Sequence, residues 1–166
     1  MPRLAEGEFA LVREHLDQAR QGSSDPVRWG SAVTDLDYDV LYADASAAAR
    51  DRAGLERFAQ RAEDEADRLG HRLYQGIARR AHGVLLGLDG QPGAACALFD
   101  QALALFEPMA TRWQIGLTLT ERASAHSMLG EIASARADLQ RAAASFEAIG
   151  ARPAAARALQ ALAALG

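Results

Sequence analysis

The chain has 166 residues, a formal net charge of −4 and a pI near 5.5, and all 18 of its basic residues are arginine. The length fits one domain, and the acidic balance argues against a nucleic-acid partner, which needs a concentrated basic surface. With no lysine there is no P-loop lysine, no Schiff base and no lysine general base. The single cysteine, Cys96, excludes an intramolecular disulfide and suits a reducing compartment. No apolar run is long enough to span a bilayer, and the opening residues lack the pattern of a secretory signal, so a cytoplasmic location away from membranes is expected. Alanine occupies 38 positions, β-branched residues are few, and no alternating run of strand length stands out. The expected class is therefore all-α.

In chain order, the first predicted helix lies near 4–21, followed by the loop "QGSSDP" at 21–26. The next, near 27–48, contains "TDLDYDVLYADA", with four aspartates in twelve positions. A calcium loop beginning at Asp35 would place Asp37 and Asp39 correctly. It would also put Val40 where a glycine is required and Ser46 where a bidentate glutamate is required. Trp29, Val33, Leu36, Val40, Ala43 and Ala47 instead recur at alternating steps of four and three, forming one apolar stripe on a helix. Asp35 and Asp39 then share a second face, expected to be solvated, and Asp37, Leu41 and Asp44 share a third. A helix over 52–69 follows, with "EDEAD" at 63–67 read as surface charge.

Further on, a helix over 73–88 stops at "DGQPG", and another spans 94–107 ahead of Pro108. The remaining helices are placed at 113–129, 132–149 and 153–165. Gly130 and Gly150 are the natural stops, and Pro153 opens the last helix. These segments repeat with a shift of forty. Phe106-Glu107 matches Phe146-Glu147, Arg112 matches Arg152, and Met109-Ala110 matches Ile149-Gly150. Gly90, Ala95, Phe99 and Ala102 match Gly130, Ala135, Leu139 and Ala142, with a weaker echo over 27–71. The histidines, His15, His71, His82 and His126, form no i,i+4 pair, so no helical metal pair exists. No nucleophile motif or glycine-rich phosphate loop is present, and neither enzymatic activity nor a cofactor is expected.

Repeated helical hairpins of this kind resemble the tetratricopeptide repeat. Arg79-x2-His82-Gly83-x2-Leu86, Ala95-x3-Phe99 and Pro108 fill its signature places in one unit. Leu119-x2-Arg122-Ala123-x2-His126 and Ala135-x3-Leu139 fill them in the next. The signature tryptophan is replaced by Arg79 and Leu119. The period of forty is similar to the units of bacterial signal-transduction ATPases and transcriptional activators of the maltose-regulator type. HEAT repeats share the period but usually lack the A-x3-F pattern.

The resemblance implies a right-handed α-solenoid of antiparallel helix pairs, about eight helices in all, ending in a capping helix. One domain, 1–166, would comprise an N-terminal helix and loop (1–26), a degenerate repeat (27–71), two repeats (72–111 and 112–151) and the cap (152–166). It would act as a non-catalytic, regulatory protein-interaction scaffold. First helices would line a concave groove through Asp37, Leu41, Asp44, Ile77, Arg80, Val84, Leu117, Thr120, Ser124 and Ser127, suited to a peptide or protein segment. The chaperone-clamp subtype is set aside, because its lysines and asparagines are absent. Alternatives are a sensor in which Arg80 anchors an anionic ligand, and homo-oligomerisation through the terminal helices.

Overall fold

The computed structural model describes residues 32–166, together with Leu11 and Glu14. Among the described residues the chain is entirely helical, without strands. The helices are α1 (Ala32–Ala49), α2 (Arg52–Leu69), α3 (Arg72–Leu88), α4 (Pro92–Phe106), α5 (Arg112–Met128), α6 (Ile132–Glu147) and α7 (Arg152–Ala164). These seven stand against about eight expected from the helical-repeat pattern. The other, over 4–21, lies outside the described residues save for Leu11 and Glu14, both helical. None of the described helices is long and apolar enough to cross a membrane.

The helices begin at residues 32, 52, 72, 92, 112, 132 and 152, a constant step of twenty. Every connection has the same construction. Positive φ occurs at Arg50, Gly70, Gly90, Ala110, Gly130 and Gly150. The amide of each of these residues donates to the carbonyl three residues back, as Gly130 does to Ser127 at 3.1 Å. The next amide donates five residues back, as in Asp51 to Ser46, His71 to Ala66, Gln91 to Leu86, Glu131 to His126 and Ala151 to Phe146, all near 2.9–3.0 Å. Thr111 to Phe106 is the longest of the set at 3.3 Å. This pair of bonds is the Schellman motif, which satisfies the last carbonyls of a helix while reversing the chain. The same turn and the same step thus occur through 32–71, where residue identity preserves only an echo of the later segments.

The chain divides into two compact units, residues 1–81 and 82–166. In the first, α1 packs on α2. Leu36, Val40, Ala43 and Ala47 of the predicted stripe are buried there, while Trp29 and the side chain of Val33 lie outside the described residues. Tyr38 and Tyr42 both pack on Phe58, with ring centroids 5.7 and 4.3 Å away. In the second, α4 packs on α5, α5 on α6 and α6 on α7. Leu103, Leu119, Ala142, Ala143 and Phe146 form its main core with Ala154, Ala155 and Ala158. A second cluster joins Ala123, Ala135 and Leu139.

Helix contact is set by glycine. A Cβ on Gly83 of α3 would lie 2.6 Å from the Phe99 ring of α4, and one on Gly116 of α5 would lie 2.6 Å from the Phe146 ring of α6. Gly54 of α2 similarly admits Ser46 of α1, whose hydroxyl is buried without a hydrogen-bond partner. Gly87, four residues along α3 from Gly83, has nothing within 4 Å. The two positions should therefore respond with opposite sign. Gly83→Ala is expected to destabilise by about 1–3 kcal/mol through overpacking. Gly87→Ala is expected to stabilise by about 0.5–1 kcal/mol through helix propensity. Urea denaturation of both variants checks this.

Candidate functional site

The aspartates of α1 are internal connectors in the first unit. Asp39, expected on a solvated face, is 5% exposed and accepts from Arg61 of α2 at 3.0 Å. Asp37 accepts from the Tyr74 hydroxyl of α3 at 2.5 Å, and Asp44 pairs with Arg80 of α3 at 2.6 Å. The side chain of Asp35 lies outside the described residues. For Asp39 the expectation of a solvated face fails because Arg61 of α2 meets it there and offsets its desolvation. In the "EDEAD" segment Asp64 and Asp67 are exposed, as expected of surface charge, while Glu63 is largely covered. Glu63 and Asp67 of α2 hold Arg79 of α3 at 3.4 and 3.0 Å.

The ten groove positions divide between the two units. In the first, Leu41 is 49% exposed, Asp37 and Asp44 are half-buried and engaged as described, and Ile77 is buried. Arg80 was expected in the groove and, in the sensor alternative, as the anchor of an anionic ligand. It is 2% exposed, and its guanidinium is spent on Asp44, so an external anion would have to displace a buried ion pair. In the second unit, Val84 is buried, while Leu117, Thr120 and Ser127 are half-buried on their helices. Leu117 packs against the main core. Thr120 donates to the Gly116 carbonyl at 2.9 Å and Ser127 to the Ala123 carbonyl at 2.9 Å, each satisfied by its own helix. Ser124 is exposed.

A polar network not anticipated from the sequence crosses α4, α5 and α6. Arg122 makes a two-pronged pair with Asp138 at 2.6 and 2.8 Å and also bonds Asp100. Asp138 is buried, and its hydrogen bonds hold the Arg122 guanidinium firmly protonated, well above the ordinary arginine range, against an opposing desolvation. Arg122 and Asp138 lie eight residues either side of Gly130, so an antiparallel hairpin turning there brings them together. His126 joins the network with Nδ1 2.6 Å from Glu131, and Cys96 Sγ lies 4.0 Å from the same nitrogen.

That geometry resembles a thiol–imidazole pair but lacks its chemistry. Nδ1 donates its proton to the Glu131 carboxylate, leaving no lone pair there to take one from the thiol. Burial, and next the charge of Asp100, push the Cys96 thiol up from its ordinary value. No group of three or more His, Cys, Asp or Glu among the described residues could hold a metal ion.

A separate cleft of about 480 Å³ in the second unit is lined by Glu107, Ala110, Arg112, Ile115, Arg141, Ala144 and Ser145. Arg141 pairs with Glu107 at 2.9 Å across it, and both are half-exposed. Comparison with family models, curated proteins and solved structures gives no match for this chain.

The Tyr74–Asp37 bond has a measurable signature. The neighbouring carboxylate, with burial second, pushes the Tyr74 hydroxyl from 10.0 up to about 12. The unfolded tyrosine loses its proton first, so the bond's contribution is full below pH 10.0 and is lost as pH rises toward about 12. Tyr74→Phe is expected to be less stable than the parent below that window, with the difference closing across it. Urea melts at a series of alkaline pH values test this, and a constant difference would contradict it.

Proposed function

We propose that the chain is a non-catalytic protein-interaction scaffold built from tetratricopeptide-like helical hairpins. In this reading it is a right-handed α-solenoid capped by α7, acting in a regulatory role in the cytoplasm and receiving a peptide or protein segment on its first helices. The step of twenty residues, with the same turn each time and glycine-seated aromatic contacts, carries this reading. Identical hairpins that cannot bury their apolar faces alone are suited to stacking, and stacked hairpins offer long surfaces for partners. The resemblance in Ala95-x3-Phe99 and Ala135-x3-Leu139 supports the family assignment.

Contacts to a partner would come from accessible first-helix residues, chiefly Leu41 and Ser124, with Leu117, Thr120 and Ser127 beside them. Asp37 and Arg80 are poor test positions, because their removal breaks bonds between helices. A better test captures partners from an extract of the native host, purifies them, and titrates parent, Leu41→Asp and Ser124→Arg. Both substitutions are expected to weaken binding at least about tenfold, or 1.4 kcal/mol, while leaving thermal melting unchanged. Equal affinity for all three chains would remove the first helices as the recognition surface.

The cleft between Arg112 and Arg141 favours a second reading, a sensor of a small anionic ligand with an apolar portion for Ile115 and Ala144. A panel of small carboxylates tested by thermal shift addresses it. A ligand at 100 times its dissociation constant stabilises by about 2.7 kcal/mol, and Arg112→Gln should abolish the shift. A silent panel would count against the sensor.

A further inference from the structure

The residues lining the cleft of the second unit fall in a definite order along its length. Helices α5 and α6 run antiparallel about the turn at Gly130. Arg112 lies eighteen residues before that glycine and Ile115 fifteen, while Ala144 lies fourteen after it and Arg141 eleven. Residues at nearly equal distances from the turn stand level, so Ile115 and Ala144 lie side by side. The arginines stand beyond them in opposite directions, their backbones about 10 Å apart along the hairpin at roughly 1.5 Å per residue. The cleft therefore reads cation, apolar wall, cation. Its two cations differ in state. Arg112 is exposed, and its guanidinium has no carboxylate partner among the described residues. Arg141 reaches over the cleft to Glu107 at 2.9 Å, and both are about half exposed. The Ser145 hydroxyl donates to the Arg141 carbonyl at 2.9 Å, which leaves the two guanidinium groups as the side-chain donors of the lining. Neither of the facing charges serves its own helix. Arg112 opens α5, at the positive end of the helix dipole, and Glu107 caps α4 at the negative end.

We infer that this cleft takes a small diacid, two carboxylates joined by a short apolar chain, and that Glu107 is a built-in competitor for one end of it. The inference rests on the sensor reading of the cleft and names its ligand class. A volume of about 480 Å³ is that of a small-molecule site. One carboxylate has a ready place on Arg112, where nothing has to be displaced. A ligand with that group alone leaves Arg141 with Glu107. In a diacid the chain lies over Ile115 and Ala144, and the far carboxylate reaches Arg141. There it replaces the Glu107 carboxylate like for like, on the same guanidinium donors. The exchange is accessible because the pair is exposed, and an exposed pair holds by no more than about fivefold in an equilibrium constant. The displaced Glu107 is left at the negative end of α4, beside an incoming anion. Its presence lowers the affinity for the diacid and so sets the concentration at which the cleft fills.

The test is isothermal titration calorimetry on the full chain with two probes, suberate and its monoamide. They have the same length and the same apolar chain and differ by one charge. Suberate is expected to bind the parent more tightly than the monoamide. Arg141→Gln should remove that advantage and bring suberate to the affinity of the monoamide. Glu107→Gln should tighten suberate by about two- to fivefold, the strength of an exposed ion pair, and tighten the monoamide less. Arg112→Gln should weaken both probes. The three side chains are all solvent-accessible, so circular dichroism melts of the unliganded variants should match the parent. Equal binding of the two probes, both dependent on Arg112, would overturn the diacid and leave the sensor reading standing. Suberate binding that Glu107→Gln leaves unchanged or weakens would overturn the role of Glu107. Silence of both probes on the parent and on Glu107→Gln would overturn the inference, and a response to other carboxylates would still keep the sensor reading.

Discussion

The turn at every twentieth residue is the constraint from which the other regularities follow. A Schellman turn ends a helix at a fixed place and sends the chain back alongside it, so its position determines which residues meet. In an antiparallel hairpin, partners lie at nearly equal distances from the turn. Arg122 and Asp138 are each eight residues from Gly130, and Ser46 and Gly54 are each four residues from Arg50. Four of the six turn positions are glycine, which enters the left-handed region without steric penalty. Arg50 and Ala110 occupy the same conformation with a Cβ, at a cost of about 1–2 kcal/mol each. That they do so indicates that packing on either side over-determines the turn.

Given the turn, side-chain volume decides how closely the helices approach. Burying a phenylalanine contributes about 1.5–3 kcal/mol, and a missing Cβ on the facing helix is what allows the full ring to be covered. The ion pairs serve a different end. A largely buried pair such as Arg122–Asp138 gains little net energy, because desolvating two charges offsets most of their attraction. Its force is conditional, since a shifted register would strand an unpaired charge. Exposed pairs such as Arg52–Glu56 contribute only a few tenths of a kcal/mol. Apolar volume thus supplies most of the stability, and the buried polar contacts penalise alternative registers.

The parts legible in the sequence were those written in a single helix. The helices over 52–69, 73–88, 94–107, 113–129, 132–149 and 153–165 are found within a few residues of their expected bounds, because glycine, proline and apolar spacing mark their ends locally. The regular turn was partly hidden, since Arg50 and Ala110 stand where glycine would have announced it. The fate of the acids was not legible. Helical spacing assigns Asp37, Asp39 and Asp44 to faces but does not say which face meets another helix. Only the three-dimensional arrangement supplies Tyr74, Arg61 and Arg80. A rule of equal distances about Gly130 would have found Arg122–Asp138, had the turn been taken as the symmetry point. The same rule applied to the turn at Ala110 and Thr111 would have placed Cys96 near His126, but no glycine marks that turn.

This internal use of polar groups limits how the molecule can recognise anything. The arginine and aspartates best placed by helical spacing to grip a ligand are occupied with one another, and Thr120 and Ser127 are bonded to their own backbone. Recognition through the remaining surface would depend on exposed apolar side chains, a few hydroxyls and rim arginines. Such contacts act over extended areas, since no one of them is strong. A surface of that kind suits a helix or peptide laid along it better than a small molecule gripped at one point. The Arg112–Arg141 cleft is the exception, because there two guanidinium groups flank an apolar wall and only one of them is tied to the lining carboxylate, Glu107. An anion entering it could compete with Glu107 for Arg141 at the surface, which distinguishes this cleft chemically from the pair at Arg80, whose guanidinium is buried.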